Sequence, residues 1–189
     1  MKTSLKSRLE GCERLALLGI GSELCADDGA GILLVRSLRS LICRQPFNSI
    51  AFEGFEGGNA PENATGFIAA FKPTHIVLVD AAEIGAAVGE FREILPHEIP
   101  DTCFSTHTLP LKIIVDYLGR VTGAIVSVIG IQPANLDFGN SPTPEVRKGV
   151  RRLMRLLHTV MGECDRATPR KPVLESATFD GETLSHGQG

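Results

Sequence analysis

A short apolar run that ends in a turn rich in glycine and aspartate most strongly constrains the fold. Residues 15–20 are apolar and have the length of a buried strand, and helical periodicity begins after Gly31. Asp27 and Asp28 lie between them, where the strand passes into the helix. Ligands of open α/β sheets bind in the crevice at such strand ends. The sequence therefore predicts a strand–turn–helix unit with two carboxylates at its ligand-binding edge.

The same alternation continues along the chain. Short apolar runs predict strands over 15–20, 48–52, 76–80, 88–95 and 124–131. Helices are predicted after Gly31, from near Asn59, over 111–118, and from Thr143. The second of them should begin with a capping box between Asn59 and Glu62. The second helix should bury Ala64, Phe67, Ile68 and Phe71. This order predicts an α/β three-layer sandwich, a mostly parallel twisted sheet of about five strands flanked by helices, with 88–95 as an antiparallel edge strand.

Composition narrows the class of protein. The 189 residues are 43% hydrophobic with a formal net charge of −3, which suits one domain and gives no electrostatic case for nucleic-acid binding. Five cysteines without C-x-x-C spacing indicate reduced thiols in a cytoplasmic protein. No apolar run is long enough for membrane insertion, and the N-terminus does not resemble a secretory signal. We expect a polar extension over 1–13, a single domain over 14–163, a poorly ordered tail over 164–189, and a monomer.

Three polar residues are predicted to meet at one edge of the sheet. Asp28 follows the first strand, Asp80 ends the third, and His107 precedes the third helix. Two carboxylates and an imidazole form an open set of N and O ligands that suits Zn, Ni or Fe. Each residue also has a local alternative, because Asp28 could cap a helix, Asp80 could belong to a turn, and His107 could pack locally.

Other common nucleotide and hydrolase motifs are absent. A dinucleotide fingerprint that begins at Gly19 would need a glycine at position 24, where this chain has Leu24. Neither a P-loop nor a G-x-S-x-G elbow occurs.

Five motifs, in order over about residues 14–161, resemble the nickel–iron hydrogenase maturation endopeptidases. They are Gly19-Ile20-Gly21 with Asp27-Asp28-Gly29-Ala30-Gly31, Glu56-Gly57-Gly58-Asn59-Ala60-Pro61-Glu62-Asn63, Val79-Asp80-Ala81-Ala82, Thr106-His107-Thr108-Leu109-Pro110-Leu111, and Gly130-Ile131-Gln132-Pro133. The second and fifth look most like the branch that serves formate hydrogenlyase-type enzymes. Ser22 and Thr108 depart from the family pattern, which usually has asparagine at the first position and, in this branch, often at the second.

The resemblance implies both a reaction and a site. Family members cut a C-terminal extension from the hydrogenase large-subunit precursor after nickel insertion. By motif position, Asp28, Asp80 and His107 match the residues that contact the metal and carry out catalysis, and Asp27 matches a supporting position. Nickel would be reached through the precursor and would not be permanently bound. Whether it is catalytic or only a recognition handle stays open.

Two alternative functions belong to other classes. The same pocket could serve a nickel-sensing or precursor-binding checkpoint module without proteolysis, and an α/β protein of this kind could bind a nucleotide. Processing of nickel-loaded precursor separates the first from an enzyme, and equilibrium dialysis with NAD and ATP tests the second.

Overall fold

A computed structural model describes residues 1–99, 110–139 and 141–167. Five strands and five α-helices alternate along it. They are α1 (Lys2–Arg8), β1 (Arg14–Ile20), α2 (Ala30–Arg44), β2 (Ala51–Gly58), α3 (Thr65–Phe71), β3 (His75–Ala81), β4 (Phe91–Ile94), α4 (Leu111–Thr122), β5 (Ile125–Ile131) and α5 (Pro144–Ala167). None of the helices in these ranges is long and apolar enough to cross a bilayer.

The five strands form one mixed sheet in the order β2-β1-β3-β5-β4. β1 pairs in parallel with β2 and β3, and β5 pairs in parallel with β3. Only β4, at one edge, runs antiparallel to its neighbour β5. This confirms the predicted sandwich and the antiparallel edge strand. The parallel strands β1 and β3 therefore end side by side, at the edge where a site was expected.

Helices cover both faces of the sheet and create two apolar cores. Alternate residues of β1 point to opposite faces, so Leu17 packs with α2 and α5 while Leu18 packs with α3 and α4. This explains why the central strands are apolar without polar alternation. On α5, Val146, Val150 and Leu153 are buried, so one face of this helix packs on the core.

Glycines allow α2 to begin directly against the sheet. A Cβ atom at Gly31 would lie 2.4 Å from the carbonyl oxygen of Val79 and 2.5 Å from that of Ile20. A Cβ atom at Gly19 would lie 2.4 Å from the carbonyl oxygen of Gly31. The glycine pattern therefore serves close packing of the helix start on β1 and β3, and any larger side chain would push the turn away from both strands.

The second strand was predicted too early. It occupies Ala51–Gly58 instead of 48–52. The N–H groups of Asn48, Ser49 and Ile50 donate to the buried carboxylate of Asp165, at 3.0, 2.6 and 3.2 Å, so the segment between α2 and β2 is held against α5 before the strand begins. The real strand carries several glycines, which weaken its sequence signal.

The start of the second predicted helix was also wrong. A 3-10 turn over Pro61–Ala64 precedes α3, and no side chain caps either element, so the capping box from Asn59 to Glu62 does not form. Ile68 and Ala64 are buried as expected, but Phe67 is 72% exposed. The turn changes the rotation of the helix, and Phe67 faces away from the sheet.

The first and the last helix of the described structure both pack on the rest of the fold. α1 lies against α5, with Leu5 and Leu9 buried in the shared core, although the segment is polar overall. α5 continues to Ala167, past the boundary expected at 164, because Cys164 and Asp165 are buried against neighbouring segments. Residues 168–189 lie outside the described ranges, and the domain division as a whole remains a prediction.

Candidate active site

Asp28 lies in a tight turn between β1 and α2. The turn is a 3-10 helix over Ala26–Gly29, and the N–H of Ser22 donates to Oδ2 of Asp28 at 2.6 Å. Gly21 has φ of +109°, and a Cβ atom there would lie 1.9 Å from the carbonyl oxygen of Asp28. No side chain caps α2, so the carboxylate of Asp28 is not used as a helix cap. Its orientation is set by the glycine turn.

Ser22 keeps this turn closed despite its departure from the family pattern. Its hydroxyl oxygen accepts a hydrogen bond from the N–H of Leu24 at 3.3 Å. The serine therefore supplies the local acceptor that the turn needs.

Asp80 lies near the end of β3, beside the end of β1. Gly19 of β1 pairs with Val79 of β3, one residue before Asp80. Burial and the negative charge of Asp28 raise the pKa of Asp80 to about 7. A hydrogen bond from the N–H of Ala81 lowers this pKa, but by less. The structure thus brings Asp28 and Asp80 together, and a carboxyl group with this pKa can take up or release a proton near neutral pH.

The third predicted site residue, His107, lies outside the described residues. Within the described ranges, no group of three or more His, Cys, Asp or Glu side chains is placed to hold a metal ion. Two carboxylates at the end of adjacent parallel strands still form oxygen ligands of the kind that divalent cations accept. The assignment of His107 to the site remains a prediction.

Asp27 has a structural role that the sequence did not specify. Its side chain is 0% exposed, and its two oxygens accept hydrogen bonds from the N–H groups of Thr143, Ala134 and Asn135, at 2.6, 2.9 and 3.1 Å. Burial alone would raise the pKa of Asp27, but these N–H donors lower it below its usual value. Asp27 therefore ties the site turn to the segment between β5 and α5, while its neighbour Asp28 is half-buried and accepts a hydrogen bond within the turn.

Gln132 is a second residue whose role appears only in the structure. Its Oε1 accepts hydrogen bonds from the N–H groups of Ile84 and Ala86, at 2.9 and 3.3 Å. Its Nε2 donates to the carboxylate of Glu83 at 2.9 Å. The side chain thereby holds the segment that follows Asp80. The Gly-Ile-Gln-Pro motif was the only signal for this residue.

Similarity to known proteins shows the family to which this chain belongs. The sequence matches the family HycI, hydrogenase maturation protease, over residues 43–160. The chain belongs to the hydrogenase maturation protease family. It is 33% identical to the hydrogenase 3 maturation protease of Escherichia coli K12 over 135 residues, which is 71% of this chain and 82% of that protein.

Two further relatives extend the match. A Methanocaldococcus jannaschii protein, provisionally named a hydrogenase maturation protease, is 39% identical over 140 residues, which is 73% of this chain and 83% of that protein. The solved structure of a NiFe hydrogenase maturation protease HycI from Thermococcus kodakarensis superposes with a TM-score of 0.73 at 31% identity, covering 84% of this chain and 98% of that chain. This member of the family is therefore a peptidase with the α/β fold of its relatives.

Proposed function

We propose that this protease removes a C-terminal extension from the nickel-loaded large-subunit precursor of a hydrogenase, acting in the cytoplasm as a monomer. The family membership gives the reaction class, and the pairing of Asp28 with Asp80 is the observation that carries the site. The nickel belongs to the substrate and reaches the site with the precursor. Neither nucleic acid nor membrane insertion takes part.

The carboxylates have two tasks in this proposal. Asp28 and Asp80, completed by His107, contact the nickel that the precursor holds, because a cation on the partner offsets the repulsion between two neighbouring carboxylates. They thereby hold the scissile peptide beside a group that can exchange a proton. Before the nickel-loaded precursor binds, burial and the charge of Asp28 raise the pKa of Asp80 to about 7, so this carboxyl group can take up a proton near neutral pH.

The bond changes follow from hydrolysis of an amide. A water oxygen attacks the scissile carbonyl carbon while Asp80 takes the water proton. The carbon–nitrogen bond then breaks, and the proton passes to the leaving nitrogen. Nickel, when bound in the precursor beside the peptide, would polarise the carbonyl or lower the pKa of the water.

The direct test compares precursor purified with and without nickel. The protein is mixed with each form, and the mass of the large subunit is measured over time. We expect cleavage of the nickel-loaded form alone, however much protease is added. Equal cleavage of both forms would remove nickel recognition from the proposal and leave an ordinary endopeptidase, whereas stable binding without cleavage would favour a checkpoint module.

Substitutions test the roles of the three residues separately. Asp28→Asn and His107→Ala should each abolish processing, because each removes a proposed contact to the substrate nickel. Asp116→Asn and His97→Ala alter exposed side chains away from the site turn and should leave the rate unchanged. Processing at the wild-type rate by Asp28→Asn or His107→Ala would remove that residue from the mechanism.

A further inference from the structure

Two cavities next to Asp28 share a wall and form one groove. The first, about 370 Å³, begins at Gly21 and Ser22, whose N–H donates to Asp28. The second, about 440 Å³, ends at Phe67 on α3. Glu56 and Asn59 line both cavities, so the two adjoin at the end of β2. We call this path from Gly21 to Phe67 the β2 groove.

The acidic side chains of the groove are already neutralised. Arg36 donates to Glu56 at 2.7 and 3.0 Å and also pairs with Glu23. Arg39 donates to the second oxygen of Glu56 at 3.3 Å. The hydrogen bond from Arg36 holds the pKa of Glu56 below its usual range. With two arginines facing two glutamates, this wall does not favour an occupant of either charge.

The far end of the groove presents an aromatic ring without a core partner. Phe67 is 72% exposed, whereas the neighbouring Ile68 is fully buried. Phe55 and Phe71, close by, pack against each other edge to face with ring centroids 6.2 Å apart. Phe67 is therefore free to receive an apolar side chain from outside.

The remaining features of the groove suit a peptide main chain. The amide side chains of Asn59 and Asn63 line it, and each offers both a donor and an acceptor. β2 is at the edge of the sheet, so among the residues that the structure describes one side of its backbone has no neighbouring strand. Gly58 has φ of +57°, and a Cβ atom there would meet nothing within 4 Å, which leaves that side of the strand end open. Extended peptides bind edges of this kind by main-chain hydrogen bonds, with specificity from side-chain pockets.

We propose that the C-terminal segment of the precursor lies extended in the β2 groove, with its main chain near Asn59 and Asn63 and an apolar side chain against Phe67. This inference rests on the proposed function, since it assumes that the peptide cut beside Asp28 comes from the precursor. The groove leads to Asp28 from the side of β2. A peptide in this groove would be held on one side of the point of cleavage, while the carboxylates hold the nickel.

Steady-state processing kinetics with nickel-loaded precursor give the first test. Phe67→Ala should raise KM about tenfold with kcat unchanged, the size expected for loss of one aromatic contact at an interface. Phe67→Leu should keep KM near the wild-type value, because it retains an apolar side chain. The matched control is Tyr117→Ala, an exposed aromatic residue on α4 that does not line the groove. An unchanged KM for Phe67→Ala would overturn the inference.

Photocross-linking identifies the occupant and separates failure of the groove from failure of the reaction. Benzoylphenylalanine in place of Phe67 should cross-link to the C-terminal segment of the precursor, as mapped by mass spectrometry, whereas the same probe in place of Tyr117 should not. Cross-links from position 67 to another part of the precursor, or none, would overturn the groove even if cleavage proceeds. If the wild-type protein bound the precursor and cross-linked as expected without cutting it, the groove would stand and the proposed reaction would fail.

Discussion

Replacement of the buried Asp27 by asparagine should destabilise the protein far more than replacement of an exposed aspartate in the segment that Asp27 holds. The carboxylate of Asp27 accepts three N–H groups, from Ala134 and Asn135 on one oxygen and from Thr143 on the other. An asparagine keeps one acceptor oxygen and turns an NH₂ group towards at least one N–H donor. Loss of one charge-assisted bond costs about 2 kcal/mol, and neutralising the other two costs about 1 kcal/mol each. We expect a loss of about 4 kcal/mol in the free energy of unfolding.

The effect should depend on pH in a defined direction. The pKa of folded Asp27 lies below its usual value, so its contribution to stability is fully present above the unfolded pKa of about 3.9. The contribution is lost as pH falls through the folded pKa, because the wild-type side chain then becomes neutral. Asp27→Asn does not titrate at this position. The difference between the two proteins should therefore be constant from pH 6 to 8 and shrink below about pH 4.

Urea unfolding followed by circular dichroism measures this difference, with Asp137→Asn as the control. Asp137 is an exposed carboxylate in the segment between β5 and α5 that Asp27 holds, and its replacement should change stability by no more than about 0.5 kcal/mol. Equal unfolding free energies for Asp27→Asn and Asp137→Asn at pH 7 would refute the role given to Asp27. A difference that did not decrease at low pH would show that the charge is not what the three N–H groups require.

Two further substitutions test the site and its packing. Asp80→Asn should be more stable than the wild type above pH 7 and equal to it near pH 4. The pKa of Asp80 is raised in the folded state, so its ionisation there costs stability as pH rises from about 4 to 7. Urea unfolding at pH 4 and pH 8 checks this difference. Gly31→Ala should lower the melting temperature sharply, because its Cβ atom would lie 2.4 Å from the carbonyl oxygen of Val79. Gly66→Ala in α3, where a Cβ atom meets nothing within 4 Å, should raise the free energy of unfolding by about 0.5–1 kcal/mol. A similar shift in melting temperature for both variants would contradict the packing account.

Elements with a strong local signal could be predicted from the sequence. The apolar runs of β1, β3 and β5 and the amphipathic patterns of α2, α4 and α5 are found where they were expected, because burial on a fixed face imposes a regular spacing of apolar residues. The proximity of Asp28 and Asp80 could also be predicted, because parallel neighbouring strands end at the same edge. The expectation for His107 awaits the tests described above.

Only the tertiary structure decided the position of segments that are polar or have a weak secondary-structure signal in the sequence. The start of β2 depends on Asp165, more than 100 positions further along the chain, which accepts the N–H groups that a strand starting at Asn48 would have used. Phe67 has the spacing of a core residue, yet a 3-10 turn rotates it outward. Of two adjacent aspartates, Asp27 is buried against N–H donors from a distant segment, and Asp28 is half-buried and bonded within its own turn. A local pattern records which residues prefer burial, but the partner of a buried polar group comes from elsewhere in the chain, and only the folded structure identifies it.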